Sequence, residues 1–171
     1  FLWSPPLFDD QNMLIFLAPL RAKMARLEDV KGLRFGGVLG YRYEGFDEMV
    51  ALGTLIKENA GSAQASLRQV CLGRVDFTQM SRAMFEALVA DSGCAARLLV
   101  QPVPNSAPFG RRVMIGKADP AMAAKVGEAI EQMPCDRLWR SVAASYRIPL
   151  AACRGTLTWA HYGLLKGNRT Q

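Results

Sequence analysis

The chain's sequence predicts an α/β fold, with a mainly parallel sheet flanked by helices. Two observations carry this. Short β-type runs at Asn12–Leu17 and at residues 34–39, 75–79 and 98–101 alternate with stretches of helical periodicity. The helical stretches begin at residues suited to capping, namely Asp47, Ser81 and Asp119. Half of the residues are hydrophobic and 21% are charged, which is enough apolar material for a sizeable core.

Taken in order, Ser4-Pro5-Pro6 reads as an extended or turn segment, and Asn12–Leu17 as a buried strand. A short helical turn over residues 27–31 is closed by Gly32. In the strand at 34–39, Gly36 and Gly37 permit close backbone approach. Asp47 caps a helix whose face is Met49, Val50, Leu52, Leu55 and Ile56. Leu67, Val70 and Cys71 line a second helix that stops at Gly73. After the strand at 75–79, Ser81 caps a third helix with Met84, Phe85, Leu88 and Val89 on its buried face. The strand at 98–101 ends at Pro102 and Pro104, and residues 112–115 form the next. Asp119-Pro120 starts a helix with a capping carboxylate and a proline at the first helical position. Its apolar side is Met122, Val126, Ala129, Ile130 and Met133, and Pro134 ends it. Leu138, Trp139, Val142, Ala143 and Tyr146 mark one more helix. Past Pro149 the periodicity fades.

With 171 residues there is room for one domain, or one and a fraction. No stretch reaches the roughly 18 apolar residues of a membrane span, and residues 13–20 contain Pro19. The net charge of +6 is concentrated late: residues 136–171 carry +5, residues 1–135 only +1. That basic tail lacks interleaved aromatic residues, so a nucleic-acid partner is not expected. The first residue is Phe with no secretory pattern after it, which means either a removed targeting segment or a fragment. The four cysteines stand at 71, 94, 135 and 153, with no CxxC pair, and His161 is far from any pattern. No metal site is expected. Cys71 and Cys94 each lie near the end of a predicted helix. They can pair in an oxidising compartment or serve as small buried apolar residues.

In parallel sheets, ligands sit at the carboxyl ends of strands, where loops run into helices. Two such loops stand out, at residues 40–46 and 80–82.

The order of segments resembles the family of periplasmic solute-binding proteins that serve amino-acid ABC transporters. The likeness begins at Ser4-Pro5-Pro6 and the strand after it. Leu27-Glu28-Asp29-Val30-Lys31-Gly32-Leu33-Arg34 is similar to the family's "L-x-D-L-K-G-K-x" entry into the second lobe. Gly37-Val38-Leu39-Gly40-Tyr41 stands at its strand and binding loop, and Leu72-Gly73-Arg74-Val75-Asp76 at its "L-x-x-G-R-x-D-A" segment. Phe109-Gly110-Arg111-Arg112-Val113-Met114-Ile115 and Lys117-Ala118-Asp119-Pro120 resemble the return strand and the final long helix.

The resemblance covers about residues 1–147 and implies a lobe of the type II periplasmic-binding fold. It implies a first-lobe remnant with a crossover at 1–26, the second lobe at 27–104, and a return crossover with C-terminal helices at 105–147. Residues 148–171 form a tail of unclear structure. The hinge is implied near 12–17 and 104–109. It further implies a periplasmic or extracytoplasmic protein that binds an amino acid or small carboxylate and partners a membrane permease, without a cofactor.

The implied ligand-binding residues are Gly40, Tyr41, Arg42 and Tyr43 in the first loop and Ser81 and Arg82 in the second. Tyr41 and Arg42 replace the family's small hydroxyl residue. Ser81 replaces an aspartate that holds a ligand's ammonium, which shifts the expectation toward a carboxylate, a peptide-like compound or no ligand at all. Asp76 reads as structural, Met80 as core, and Asp9 and Asp10 as exposed loop acids. No catalytic residue is expected, because the loops offer no His and only Glu44 as a carboxylate. A sensory domain, a truncated copy and an enzyme on the same fold are the alternatives.

Overall fold

The computed structural model describes residues 1–18, 24–116 and 119–153. Lys117, Ala118 and the tail from 154 on, with Trp159 and His161, lie outside the described residues. The chain first forms strands β1 (Leu2–Trp3), β2 (Phe8–Asp10), β3 (Asn12–Leu17) and β4 (Arg34–Val38). Next come α1 (Phe46–Ala51), β5 (Ile56–Ala60), α2 (Ala63–Cys71), β6 (Phe77–Ser81), α3 (Arg82–Leu88) and β7 (Leu98–Pro102). Strands β8 (Phe109–Arg111) and β9 (Met114–Ile115) precede α4 (Pro120–Gln132) and α5 (Arg137–Ser145).

These elements divide into two compact units. The larger is Asp10–Phe109; the smaller takes Phe1–Asp9 and the chain from Gly110 on. Strands β2 and β8 pair, and the boundary cuts both.

In the larger unit a five-stranded sheet has the order β5-β4-β6-β3-β7. Strand β4 is parallel to β5 and β6, while β3 is antiparallel to both β6 and β7. Four of the five strands therefore share a direction, and β3 alone opposes them. One face of the sheet buries Leu14, Phe16, Phe35 and Phe77 against Phe46 and Met49 of α1. Phe35 is the hub, with ring centroids 4.8 Å from Tyr43, 5.3 Å from Phe46 and 5.1 Å from Phe77. The opposite face buries Met13, Ile15 and Met80 against Leu67 of α2 and Phe85 of α3. Each strand residue alternates between the two layers, which is why β3 is apolar throughout.

Between α2 and the sheet sits a buried hydroxyl pair. Ser66 Oγ and Thr78 Oγ1 lie 2.6 Å apart, and they reach the Gly36 carbonyl at 2.8 and 2.7 Å. Gly36 has no side chain because there is no room for one: a Cβ there would meet Ser66 Oγ at 2.9 Å and Val75 Cγ2 at 3.1 Å. At the other end of β4, Arg34 and Asp76 are locked together. The Asp76 carboxylate accepts the Arg34 backbone N–H at 2.7 Å and its guanidinium at 3.2 and 2.9 Å, and Arg34 also donates to Gly73 O at 3.1 Å.

That tie holds the Asp76 carboxyl below its usual range, first through the guanidinium hydrogen bonds and against some burial. A group with a lowered folded pKa adds stability above its unfolded value near 3.9, and this is lost as pH falls through the folded pKa. We expect Asp76→Asn to cost about 1 kcal/mol at pH 7, since the guanidinium is partly exposed. In urea titrations the gap between variant and parent narrows as pH falls below the unfolded value, about 3.9, and on through the folded pKa. A gap of equal size at pH 3 and pH 7 would show that charge plays no part.

The structure departs from sequence expectation at several places. The first helix ends at Ala51, with Leu52 as its C-cap; Leu55 packs in the core from a turn, and Ile56 opens β5. Gly45 occupies the N-cap at φ +80°, and Asp47 lies inside the first turn. Strand β5 has no counterpart among the expected strands, because its sequence, Ile-Lys-Glu-Asn-Ala, has no apolar alternation. Strand β6 starts at Phe77, two residues late. Of the segment expected as one strand at 112–115, only Met114–Ile115 (β9) is strand; β8 lies ahead of it at Phe109–Arg111. Asp10 is a correction of another kind: it is only 4% exposed. Its Oδ1 accepts the Gln11 N–H at 2.9 Å and the Ala83 N–H at 3.1 Å, so its charge is held by the first turn of α3.

The smaller unit pairs β1 with β9, setting Leu2 opposite Ile115 and Trp3 opposite Met114. Ser4 is its buried polar tie: the Val113 N–H reaches Ser4 Oγ at 3.0 Å, and Arg112 Nη1 reaches Ser4 O at 2.8 Å. The Asp119 and Asp136 side chains cap α4 and α5 by accepting the Met122 and Trp139 N–H groups. A disulfide joins Cys135 to Cys153. In the larger unit a second disulfide joins Cys71, at the end of α2, to Cys94 ahead of β7. Of the two readings open for Cys71 and Cys94, the structure takes the paired one. No described helix is long and apolar enough to cross a membrane.

Candidate functional site

The site follows from how the chain leaves two neighbouring strands. Strand β4 feeds α1 on one face of the sheet, and β6 feeds α3 on the other. The two strands are adjacent and parallel. The chain leaving their carboxyl ends therefore runs to opposite faces, the arrangement of a topological switch point, at which open α/β sheets receive ligands. Gly36 lies level with Thr78. Strand β4 ends at Val38 and β6 at Ser81, so both loops leave the same end of the sheet from neighbouring strands. The two loops singled out in the sequence are thus side by side.

Within the first loop the candidates divide. Gly40, at φ +79°, lets the chain turn away from β4. Tyr41 is 56% exposed, and Arg42 is exposed beside it. Tyr43 is 4% exposed and belongs to the core. Its hydroxyl accepts the Val38 N–H at 2.8 Å, closing the loop over its own ring. Burial raises the Tyr43 pKa, and the Val38 hydrogen bond opposes this. Its backbone N–H donates to Asp47 Oδ2 at 2.8 Å, while Lys57 Nζ sits 3.2 Å from Asp47 Oδ1 and 5.0 Å from the Tyr43 ring centre. Burial pushes the Asp47 carboxyl up, but the Tyr43 N–H and Lys57 outweigh it and hold it below its usual range.

In the second loop Ser81 is 7% exposed, and its Oγ accepts the Met84 N–H at 3.3 Å, the cap expected of it. Arg82 is exposed. Its backbone N–H donates to Gln11 O at 2.8 Å, and among the described residues its guanidinium reaches Gln11 Oε1 at 3.4 Å and Met13 Sδ at 3.9 Å. Met80 is buried among Met13, Ile15 and Phe85. The surface group is therefore Gly40, Tyr41, Arg42 and Arg82, with Tyr43 and Ser81 beneath it as supports. Asp10 ends β2 and Gln11 leads into β3, whose antiparallel course brings them to the carboxyl end of β6, and no local sequence signal marks that.

Known proteins can be set against this geometry. No family model matches the sequence, and no curated protein matches it significantly. Solved structures do. An ancestral arginine-binding protein bound to glutamine superposes with a TM-score of 0.60 at 23% identity, over 84% of this chain and 62% of that one. An ancestral amino acid-binding protein, a precursor of cyclohexadienyl dehydratase, gives 0.61 at 16%, over 84% and 60%. The second substrate-binding domain of a putative amino acid ABC transporter from Streptococcus pneumoniae gives 0.53 at 13%, over 85% and 64%. The chain has the α/β fold of type II substrate-binding proteins, and it spans about three fifths of the length of these neighbours.

Proposed function

We propose that this chain is a solute-binding module of the amino-acid-receptor kind, working outside the cytoplasm and handing its ligand to the membrane permease of an ABC transporter. The observation that carries the reading is the switch point. The loops at the ends of β4 and β6 present Tyr41, Arg42 and Arg82 on a fold whose solved neighbours are amino-acid-binding proteins. The two disulfides support an oxidising, extracytoplasmic setting, because such bridges are rare in the cytosol. The ligand is small and polar, an amino acid or a small carboxylate. Tyr41 supplies an exposed aromatic wall, and the arginines supply planar donors for a carboxylate.

A single face makes part of the contacts of an enclosed ligand, so dissociation constants on the order of 1 mM, about 4 kcal/mol, are expected of it. Ligand-detected NMR on the full chain, with the common amino acids and short-chain carboxylates, reads this range. Transfer to one ligand class, lost in Tyr41→Ala with Arg82→Gln, is the expected result. No transfer to any ligand at 5 mM would end the solute-binding reading, with 5 mM being roughly fivefold the expected constant.

A further inference from the structure

The charges at the switch point are unequally committed, and this deepens the solute-binding reading on which it rests by naming the ligand's class. We propose that the crevice between β4 and β6 accepts the anionic end of its ligand, and that the ligand is an acid without a compensating cationic group on that side.

Two acids near the crevice, Asp10 and Asp47, already have work. Asp10, nearly fully buried, spends Oδ1 on the Gln11 and Ala83 N–H groups. Asp47 is divided between the Tyr43 N–H and the Lys57 ammonium. Neither is placed to hold an incoming ammonium without first giving up a partner. Ser81 brings no charge, and its hydroxyl oxygen is engaged with Met84 N–H.

The arginines differ. Among the described residues neither Arg42 nor Arg82 forms an ion pair. Arg42 lies in the field of Asp47 and helps to lower its pKa, but shares no hydrogen bond with it. Arg82 meets neutral acceptors, at the long distances of 3.4 and 3.9 Å. Each guanidinium carries five N–H donors, and both residues are exposed. Glu44 is the exposed acid in the first loop, so two guanidiniums stand against one carboxylate. Arginine also loses less than lysine on leaving water, and its fork matches a carboxylate's two oxygens.

The test uses the full chain and four probes of similar size: glutarate, glutamate, glutamine and arginine. The expected order is glutarate and glutamate at least tenfold tighter than arginine, with glutamine between them. Arg42→Gln and Arg82→Gln should each weaken glutarate binding about tenfold, the loss expected for one charge-assisted hydrogen bond. Both positions are exposed, so thermal unfolding of the variants should match the parent. Arginine binding as tightly as glutarate overturns the charge assignment and leaves the solute-binding reading standing. Glutarate preferred, but unaffected by either substitution, also overturns it. If none of the four probes binds while another amino acid does, the class is wrong; if nothing binds, both readings fall.

Discussion

Removing the Cys71–Cys94 bridge is expected to cost the larger unit about 3 kcal/mol, the chain-entropy value for a loop of the 23-residue separation that it closes. The loop contains β6 and α3, so the bridge restrains the segment that carries Ser81 and Arg82. A reductant would open both disulfides, so Cys71→Ala with Cys94→Ala is the cleaner variant because it leaves Cys135–Cys153 in place. Trp3, Trp139 and Trp159 all fall outside Asp10–Phe109. Tryptophan fluorescence therefore reports the smaller unit, and far-UV circular dichroism is needed for the larger. A urea midpoint unchanged in the double variant, or two titratable thiols at 71 and 94 in the native parent, would show that the bridge does not hold the fold.

Gly36→Ala is the second large effect, at about 1–3 kcal/mol from overpacking. The new methyl would press on Ser66 Oγ and Val75 Cγ2, inside the layer between β4 and α2. Neither neighbour is a loose surface side chain: Ser66 and Val75 are both buried. Relief should come from Ser66→Ala, which removes the nearer clash and leaves Thr78 Oγ1 to serve the Gly36 carbonyl at 2.7 Å. The two substitutions should then be clearly non-additive, the double variant being more stable than the sum of the single losses predicts. Simple additivity in urea denaturation would mean that Ser66 is not what excludes a side chain at position 36.

Much of the fold could be read from the residues because its signals are local. Asn12–Leu17 was bounded correctly by its apolar run. Ser81 and Asp119 capped the helices that they were expected to cap, and Asp76 proved to be a structural tie. Strand β5 escaped because it lies at the edge of the sheet with only Ala60 buried, so no apolar pattern marks it. The site was legible as two loops and no further. What separates Arg42 from Tyr43 is whether the next turn folds over the ring, which depends on the Val38 N–H finding a partner. Asp10 was misread for a similar reason. Its burial is decided by Ala83, 73 positions away, and no window of neighbouring residues contains that fact.

The unequal flanks of the five-stranded sheet have a consequence for self-association. One flank is β5, where Lys57, Glu58 and Asn59 crowd the rim with polar groups; the other is β7, which exposes Leu99 and Val100. Charged rims resist the addition of another strand, while bare ones invite it. Of the two flanks, β7 is therefore the one where a further strand would meet apolar side chains, and a lysine in place of Leu99 or Val100 would reduce that liability.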